Sequence, residues 1–403
     1  MRVLVALLIA LTGAAFVFKA KLSQPSIPLA SALLIFLGLS VISGVFSESP
    51  FESEQALLDI FVHISGFFLV TLLASDERKQ QVLILALFFA GAVMGLYGVV
   101  QYLGYGFTPS VVTDRITSTF YHYSHYAGFL DLAGPVVLGA ALMIQRGIFK
   151  VLLILLTLLS YANAGLTFSN AGWGSLGLAT VLLLLWWWGR GPNGTRRSRS
   201  AVVGSLLLVG VLAVGAFVQF SPRLHGTLSQ RLVQLLGERD ENGTLIGEGL
   251  GRFGDRLTIA RVTLPIIEEH PWFGVGPGNF IYAVTEFRLE TTKTHRYASV
   301  THRFVNYAHN DYLQIASEEG IFALVAFVTF WLLVLFRHGS RSPWLFGGKF
   351  ALLAILVHGL MDGNLTFNHS TSFLAFMLTG LVSQAPIADA EELTPIEEPV
   401  LQG

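Results

Sequence analysis

Long runs of apolar residues dominate this sequence and limit what it can fold into. A helix that crosses a bilayer needs about 20 mostly apolar residues. Only 13% of the 403 residues are charged, which is about half the charged fraction of a typical soluble domain. We predict an all-α polytopic membrane protein with about 11 (10–12) transmembrane helices and one large, partly helical external loop. The candidate spans are residues 2–18, 28–46, 57–74, 81–103, 124–144, 149–165, 170–188, 201–219, 312–336, 346–363 and 369–384.

Three details of these spans are open to interpretation. Arg2–Phe18 has no convincing small-residue cleavage site and is followed by Lys19 and Lys21, so we interpret it as a retained span rather than a signal peptide. The runs at 149–165 and 170–188 are compatible with a tight hairpin or with one broken helix. Glycine spacing predicts close helix packing at Gly91, Gly95, Gly98, Gly174 and Gly177.

Net charge and cysteine content exclude several classes of function. The formal net charge is −1, so no basic excess indicates nucleic-acid binding. The chain has no cysteine, which excludes disulfides, thiol catalysis and cysteine zinc sites.

The short loops alternate in charge, which predicts the orientation of the spans. Lysine and arginine concentrate in cytoplasmic loops, and here they occur at positions 19–21, 78–79, 146–150, 190–199 and 337–349. The chain then divides into an N-terminal transmembrane bundle of about eight spans (1–219), an external loop domain (220–310), about three C-terminal spans (311–384) and a disordered acidic cytoplasmic tail (385–403). The N-terminus is expected outside.

The external loop carries an unusual set of side chains. Helices are predicted at Ser229–Glu238 and Arg256–Glu269, and Pro271 with the glycines of 274–278 ends the second. Arginine binds anions in a bidentate fork, and histidine exchanges protons near neutral pH. The pattern indicates an anionic ligand with proton transfer nearby, or a solvated loop that binds lipid headgroups. The residues are Arg223, Arg231, Arg239, Arg252, Arg256, Arg261, Arg288, Arg296 and Arg303, with His225, His270, His295, His302 and His309.

Several short motifs follow one another along the chain in a fixed order. Residues 270–280 read HPWFGVGPGNF, residues 309–314 read HNDYLQ, and Gly320 follows. Weaker motifs are Arg115–Phe120, Ser124–Gly128, Asp255–Leu257 and His358–Asp362. Together they resemble the O-antigen ligase and O-antigen polymerase superfamily, which includes bacterial protein O-oligosaccharyltransferases.

The resemblance implies a fold similar to the GT-C glycosyltransferases, working without a metal or cofactor. It implies a glycan donor on undecaprenyl diphosphate and a hydroxyl acceptor, which is lipid A–core, another glycan or a protein. The partners are then this donor, the acceptor and membrane lipids. The enzyme is expected in the bacterial inner membrane with its active site facing the periplasm.

Site residues are carried over from the same motifs. The resemblance makes His309 the essential histidine and Arg256 its accompanying arginine. We expect His309 to act as general base or to orient the acceptor, Arg256 to bind the diphosphate and Arg115 to make a second anion contact. Further substrate contacts are expected from Arg252, Asn310, His125 and Asn170. Asn170 departs from the family pattern, which often has arginine there, and Arg115 or Arg252 would have to compensate.

Structural or other roles remain open for some of these residues and for several further polar ones. Asn310 is a suitable helix cap, and Arg256 has acidic neighbours for an exposed ion pair. His122, His125 and His369 form a candidate metal site. His63, His358 and Asp131 lie within spans, where hydrogen bonds between helices are the simplest role.

Two non-enzymatic functions also remain open. A polysaccharide or solute transporter would place paired charges at mid-membrane, and an assembly factor would not need a reactive centre. Convergence of His309, Arg256 and Arg115 on one outward-facing cavity would favour the enzyme.

Overall fold

The computed structural model describes residues 25–74, 76–106, 115–145, 147–190, 197–206, 238–239, 245–246, 251–285, 305–337 and 342–384. Several predictions lie outside these residues. They are the first span at 2–18, the predicted loop helix Ser229–Glu238 apart from its last residue, most of the span at 201–219, the stretch 286–304 and the tail 385–403.

The described residues are predominantly helical, which confirms the all-α class. Residues 197–206 and 280–285 are also helical, Pro343–Leu345 forms a 3₁₀ turn, and two-residue strands β1 (Glu238–Arg239) and β2 (Leu245–Ile246) pair antiparallel. The helices are α1 (Ile27–Val45), α2 (Pro50–Leu73), α3 (Glu77–Tyr102), α4 (Tyr123–Met143), α5 (Gly147–Leu166), α6 (Asn170–Gly189), α7 (Gly251–Glu269), α8 (Asp311–Glu318), α9 (Gly320–Phe336), α10 (Gly348–His358) and α11 (His369–Val382).

Among the residues that the structure describes, six helices, α1 to α6, are long and apolar enough to cross a membrane. The helix α9, the segment Pro343–His358 and α11 are apolar but shorter. The chain is therefore a multi-pass membrane protein, while the total of about 11 spans stays a prediction. The polar break at 167–169 separates two helices, α5 and α6, rather than kinking one.

Helix α4 lies at the centre of the bundle and is buried along almost its whole length. Small residues on α4 allow this, because they let neighbouring backbones approach closely. Gly139 packs against the backbone of Gly347, and Gly128 packs against Asn364. Helices α5, α6, α10 and α11 surround α4, while α1 packs on α9 and α2 packs on α11.

The predicted span at 312–336 is wrong in one respect, because the structure breaks it into α8 and α9. Gly320 has φ +85°, a left-handed conformation that ends α8. The turn that follows α7 folds over this break. The amides of Val275 and Gly276 donate to the carbonyls of Ser317 and Glu318, at 3.0 and 2.8 Å. These are the carbonyls that a helix end leaves without partners.

The glycine packing prediction holds for only part of the set. A Cβ at Gly95 or Gly98 would collide with Leu159 or Asn163 of α5, so these two glycines do allow close approach. For Gly91, Gly174 and Gly177, no described residue would lie within 4 Å of an added Cβ, so the described part of the chain shows no close approach there.

Replacing Gly320 tests the break between α8 and α9. In Gly320→Ala the new Cβ would overlap the Trp272 carbonyl, and the positive φ would be strained. We expect a loss of about 2 kcal/mol or more in stability, measured as a lower Tm in detergent micelles. Gly174→Ala, on an open face of α6, is the control and should not lower Tm. An unchanged Tm in Gly320→Ala would contradict this assignment.

Candidate functional site

Several distant segments meet at one end of the bundle. The Ile116 amide donates to the Leu166 carbonyl at 3.5 Å, which joins the α3–α4 and α5–α6 connections. The Asn368 side chain donates to the His125 carbonyl at 3.1 Å. Asn279, in the turn after α7, donates to Ser47 at 2.8 Å. This end therefore gathers the segments that carry the sequence motifs.

The motif His309-Asn310-Asp311 is fixed to the turn between α10 and α11. Asn310 caps α8, accepting from the amides of Tyr312 and Leu313 at 2.9 Å each. The side-chain amide nitrogen of Asn310 also donates to the Leu360 carbonyl at 2.9 Å. The cap role for Asn310 is therefore correct. It leaves His309 just before the helix, at φ +53°.

The buried Asp311 carboxylate holds the same turn from the other side. It accepts from the amide of Leu365 at 3.1 Å, and from the amide and the hydroxyl of Thr366 at 2.9 and 2.7 Å. Asp311 also donates its own amide to the Gly359 carbonyl at 2.8 Å. The start of α8 and the 359–366 turn thus form one hydrogen-bonded unit, which fixes His309 relative to Asp362.

Asp362 is the charged centre of the site. His309 Nδ1 lies 3.1 Å from Asp362 Oδ1, and an Arg256 guanidinium nitrogen lies 3.9 Å from Oδ2. The Asp362 side chain is 4% exposed. Burial alone would raise the pKa of this carboxyl, but the His309 hydrogen bond and the Arg256 charge outweigh it and hold the pKa far below its ordinary value. Asp362 is therefore a carboxylate at neutral pH.

An aromatic wall supports the imidazole of His309. The centroid of the Tyr307 ring lies 3.9 Å from that of the His309 ring and 4.4 Å from that of the Phe367 ring. Burial and the nearby Asp362 charge raise the pKa of the Tyr307 phenol, so this wall stays neutral.

Arg115 lies in the neighbouring connection, beside the start of α4. Its guanidinium carbon is 4.1 Å from the centroid of the Tyr123 ring. His122 caps α4 through Nδ1, which accepts from the Ser124 amide at 3.2 Å. Burial lowers the pKa of His122 to about 4 despite the Asp362 charge, so His122 is neutral at pH 7. The cation beside His122 in this connection is therefore Arg115.

The structure brings some predicted site residues together and leaves others apart. His309 and Arg256 meet at Asp362, and the His125 ring lies 5.7 Å from that of His122. Asn170 is exposed at the first turn of α6. Only the backbone of Arg252 is described, in the first turn of α7.

The candidate metal trio is divided between two places. His369 Nδ1 lies 3.2 Å from His63 Nε2, whereas His122 contacts His125. No group of three or more His, Asp or Glu side chains among the described residues is placed to hold a metal ion.

Two residues of the site were not among the predicted ones. Asp362 ends the motif His358–Asp362, so its carboxylate could have been predicted from the sequence as a partner for a histidine. Tyr307 lies two residues before His309, but nothing in the sequence indicated that its ring faces the imidazole.

A cavity of about 420 Å³ lies behind the aromatic wall, between α1, α2, α9 and α11. Phe367 and Asn306 line it, as do four acidic residues, Glu52, Asp59, Glu318 and Glu319. The described lining does not include His309, Arg256 or Arg115. His309 and Arg256 meet at Asp362 instead, and Arg115 lies against the Tyr123 ring.

Residues 153–328 match a family model described as O-Antigen ligase. The matched part runs from α5 into α9 and contains Arg256 and His309. The resemblance noted in the motifs is thereby confirmed. No curated protein matches the chain.

Replacing Asp311 tests the unit that positions His309. Asp311→Asn places an amide group against buried donors, which should cost about 1–3 kcal/mol. Thr366→Val removes only the hydroxyl bond and should cost about 1 kcal/mol. We expect Tm in detergent to fall in the order wild type, Thr366→Val, Asp311→Asn. Equal Tm values for all three would show that this unit does not hold the turn.

Proposed function

We propose, from the premise that residues 153–328 belong to the O-antigen ligase superfamily, that this membrane protein is a glycosyltransferase. It moves a glycan from undecaprenyl diphosphate to a hydroxyl acceptor at the periplasmic face of the bacterial inner membrane. The observation that carries the proposal is the meeting of His309 and Arg256 at one buried carboxylate, Asp362.

His309 is the proposed general base. Its Nδ1 faces Asp362, so Nε2 lies on the opposite edge of the ring and takes the acceptor proton. Asp362 fixes the tautomer and stabilises the imidazolium that forms. The acceptor oxygen then attacks C1 of the donor sugar, the C1–O bond to the diphosphate breaks, and the electron pair leaves with the diphosphate.

Arg256 and Arg115 are proposed to stabilise the leaving group. Negative charge develops on the diphosphate as the C1–O bond breaks, and fixed cations lower the energy of that state. Arg256 is 29% exposed while one guanidinium nitrogen faces Asp362, so its fork has further donors for an anion. In this role Arg115 substitutes for the arginine that the family pattern often has at Asn170.

The proposed orientation follows from the basic residues at the opposite end of the bundle. Lys79, Lys150, Arg190, Arg337 and Lys349 all lie at helix ends remote from Asp362. Positive charge marks the cytoplasmic side, so the His309 end faces the periplasm.

Lipid A–core is the proposed acceptor, with a second glycan repeat or a protein hydroxyl as the alternatives. Gene deletion followed by analysis of surface glycans separates them. Loss of every long chain on lipid A supports a ligase. Retention of a single repeat supports a polymerase, and unchanged glycans on lipid A with loss of protein glycans supports protein glycosylation.

Replacing His309 tests the general base. We expect His309→Ala to reduce glycan transfer by at least about 10²-fold, with membrane insertion intact, measured with lipid-linked donor in proteoliposomes. The control is His270→Ala, an exposed histidine just after α7, which should transfer at the wild-type rate. Full transfer by His309→Ala would end the proposal.

Replacing Arg256 tests leaving-group stabilisation. We expect Arg256→Ala to lower kcat by about 10²-fold, and Arg256→Lys to recover part of it because the charge returns without the fork. Arg261→Ala, at an exposed position of the same helix, should leave kcat unchanged. Wild-type kcat in Arg256→Ala would remove Arg256 from the mechanism.

A further inference from the structure

The ends of α6, α9 and α10 that lie opposite Asp362 form a strongly basic surface. Residues 132–237 contain no Asp or Glu, and neither do residues 320–361. Trp186 at the end of α6 and Phe350 at the start of α10 are in contact, with their ring centroids 6.5 Å apart. The positive charges of these segments are therefore gathered at one end of the bundle without an acidic residue from either stretch.

Two arginines lie over indole rings at the end of α6. The guanidinium carbon of Arg190 is 4.3 Å from the centroid of the Trp186 ring, and that of Arg199 is 4.6 Å from the centroid of the Trp187 ring. The face of an indole ring attracts a cation and so fixes its position, but it does not neutralise the charge. We call these four residues the arginine–tryptophan site.

Hydrogen bonds bring Arg199 back to α6 from a later helix. Arg199, in the helical segment 197–206, donates from Nη1 to the Trp187 carbonyl at 2.6 Å. The Trp188 indole donates to the Ser200 hydroxyl at 3.0 Å. The first of these bonds occupies a carbonyl that the end of a helix leaves without a partner. The two contacts hold Arg199 beside the end of α6, so the arginine–tryptophan site is organised before any ligand binds.

Several lysines of the same end are bound by acceptors of the chain itself. Lys349 donates to two main-chain carbonyls at the end of α9. Lys150 donates to the side chain of Gln145 at 2.6 Å. In the connection between α2 and α3, Lys79 lies 3.0 Å from the Asp76 carboxylate. The two stacked arginines are therefore the better candidates to bind an anion from outside the chain.

The chemistry of the arginine–tryptophan site fits a phosphodiester. A guanidinium fork matches two oxygens of a phosphate group, and the single bond from Arg199 to a carbonyl uses only part of its fork. Tryptophan rings of membrane proteins concentrate at the level of the lipid headgroups. The carbonyl end of α6 by itself repels an anion, so binding would depend on the two guanidinium groups.

An exposed apolar stripe along α6 leads to this site and favours a lipid over a free phosphate. Leu178, Val181, Leu185 and Trp188 are all exposed in the bundle. Their spacing of three or four residues places them on one face of the helix. An acyl chain can lie along this stripe while the phosphate of the same molecule binds the arginines, whereas a free phosphate would use only the arginines.

We propose that the arginine–tryptophan site binds the headgroup phosphate of an anionic phospholipid whose acyl chains follow the stripe on α6. The proposal does not rest on glycan transfer, because the site lies at the opposite end of the bundle from Asp362. Its readout is lipid binding rather than enzyme activity.

The experiment measures lipid preference with the full chain in proteoliposomes. Dibrominated phosphatidylglycerol or dibrominated phosphatidylcholine quenches tryptophan fluorescence on contact, and Trp186 is 48% exposed, so a bound lipid can reach it. The ratio of the two association constants gives the preference for the anionic lipid. We expect the wild type to prefer phosphatidylglycerol. The double variant Arg190→Gln/Arg199→Gln should lose about tenfold or more of this preference, since each basic residue near an anionic lipid contributes about fivefold.

Two further variants separate a built site from a simple excess of charge. Arg190→Lys/Arg199→Lys keeps both charges but loses the fork and the planar stack, and should recover only part of the preference. Arg78→Gln/Lys79→Gln removes the same number of charges from the same end, where Asp76 already compensates Lys79. This control should keep the wild-type preference.

Four results would overturn the proposal. They are a wild type without preference for phosphatidylglycerol, an equal loss in the Arg78→Gln/Lys79→Gln control, full recovery in the double lysine variant, and displacement of the lipid by inorganic phosphate at constant ionic strength. If the double glutamine variant does not fold, Arg190→Gln alone decides, because Arg190 is exposed. We expect about a fivefold loss of preference in that single variant, and an unchanged preference would contradict the proposal.

Discussion

The buried carboxylate of Asp362 is the interaction on which the rest of the site depends. A carboxylate removed from water is stable only when positive or hydrogen-bonding groups compensate it. Here the compensation comes from His309 before α8 and Arg256 on α7, two segments far from Asp362 in sequence. The need to compensate one charge therefore assembles groups from three parts of the chain.

That assembly requires a rigid frame, which comes from a broken helix. A continuous helix over 312–336 would leave no free carbonyls for the turn after α7. The break at Gly320 exposes the carbonyls of Ser317 and Glu318, and the turn at 271–278 occupies them. Helix α7, and with it Arg256, is thereby held beside the start of α8. The Asp311 carboxylate accepts hydrogen bonds from the turn that carries Asp362, and so holds that turn beside the start of α8 as well.

Much of this could be predicted from the sequence, because apolar runs and capping residues act locally. The spans that became α1 to α6, the helix at Arg256 and the cap at Asn310 all follow from hydropathy or from short-range hydrogen bonds. The break at Gly320 could not be predicted, since its cause is a turn some 45 residues earlier in the chain. The partnership of His309 with Asp362, the wall formed by Tyr307 and the pairing of His369 with His63 are contacts between distant segments that no local pattern encodes.

The distribution of charge around the aromatic wall also constrains where a substrate can bind. Arg256 lies beside Asp362, whereas Glu52 and Asp59 line the cavity that Phe367 also borders. A diphosphate would be repelled by these carboxylates and attracted by the guanidinium groups, and both effects strengthen where water is partly excluded. The donor proposed here therefore belongs beside Arg256 rather than in the acidic cavity.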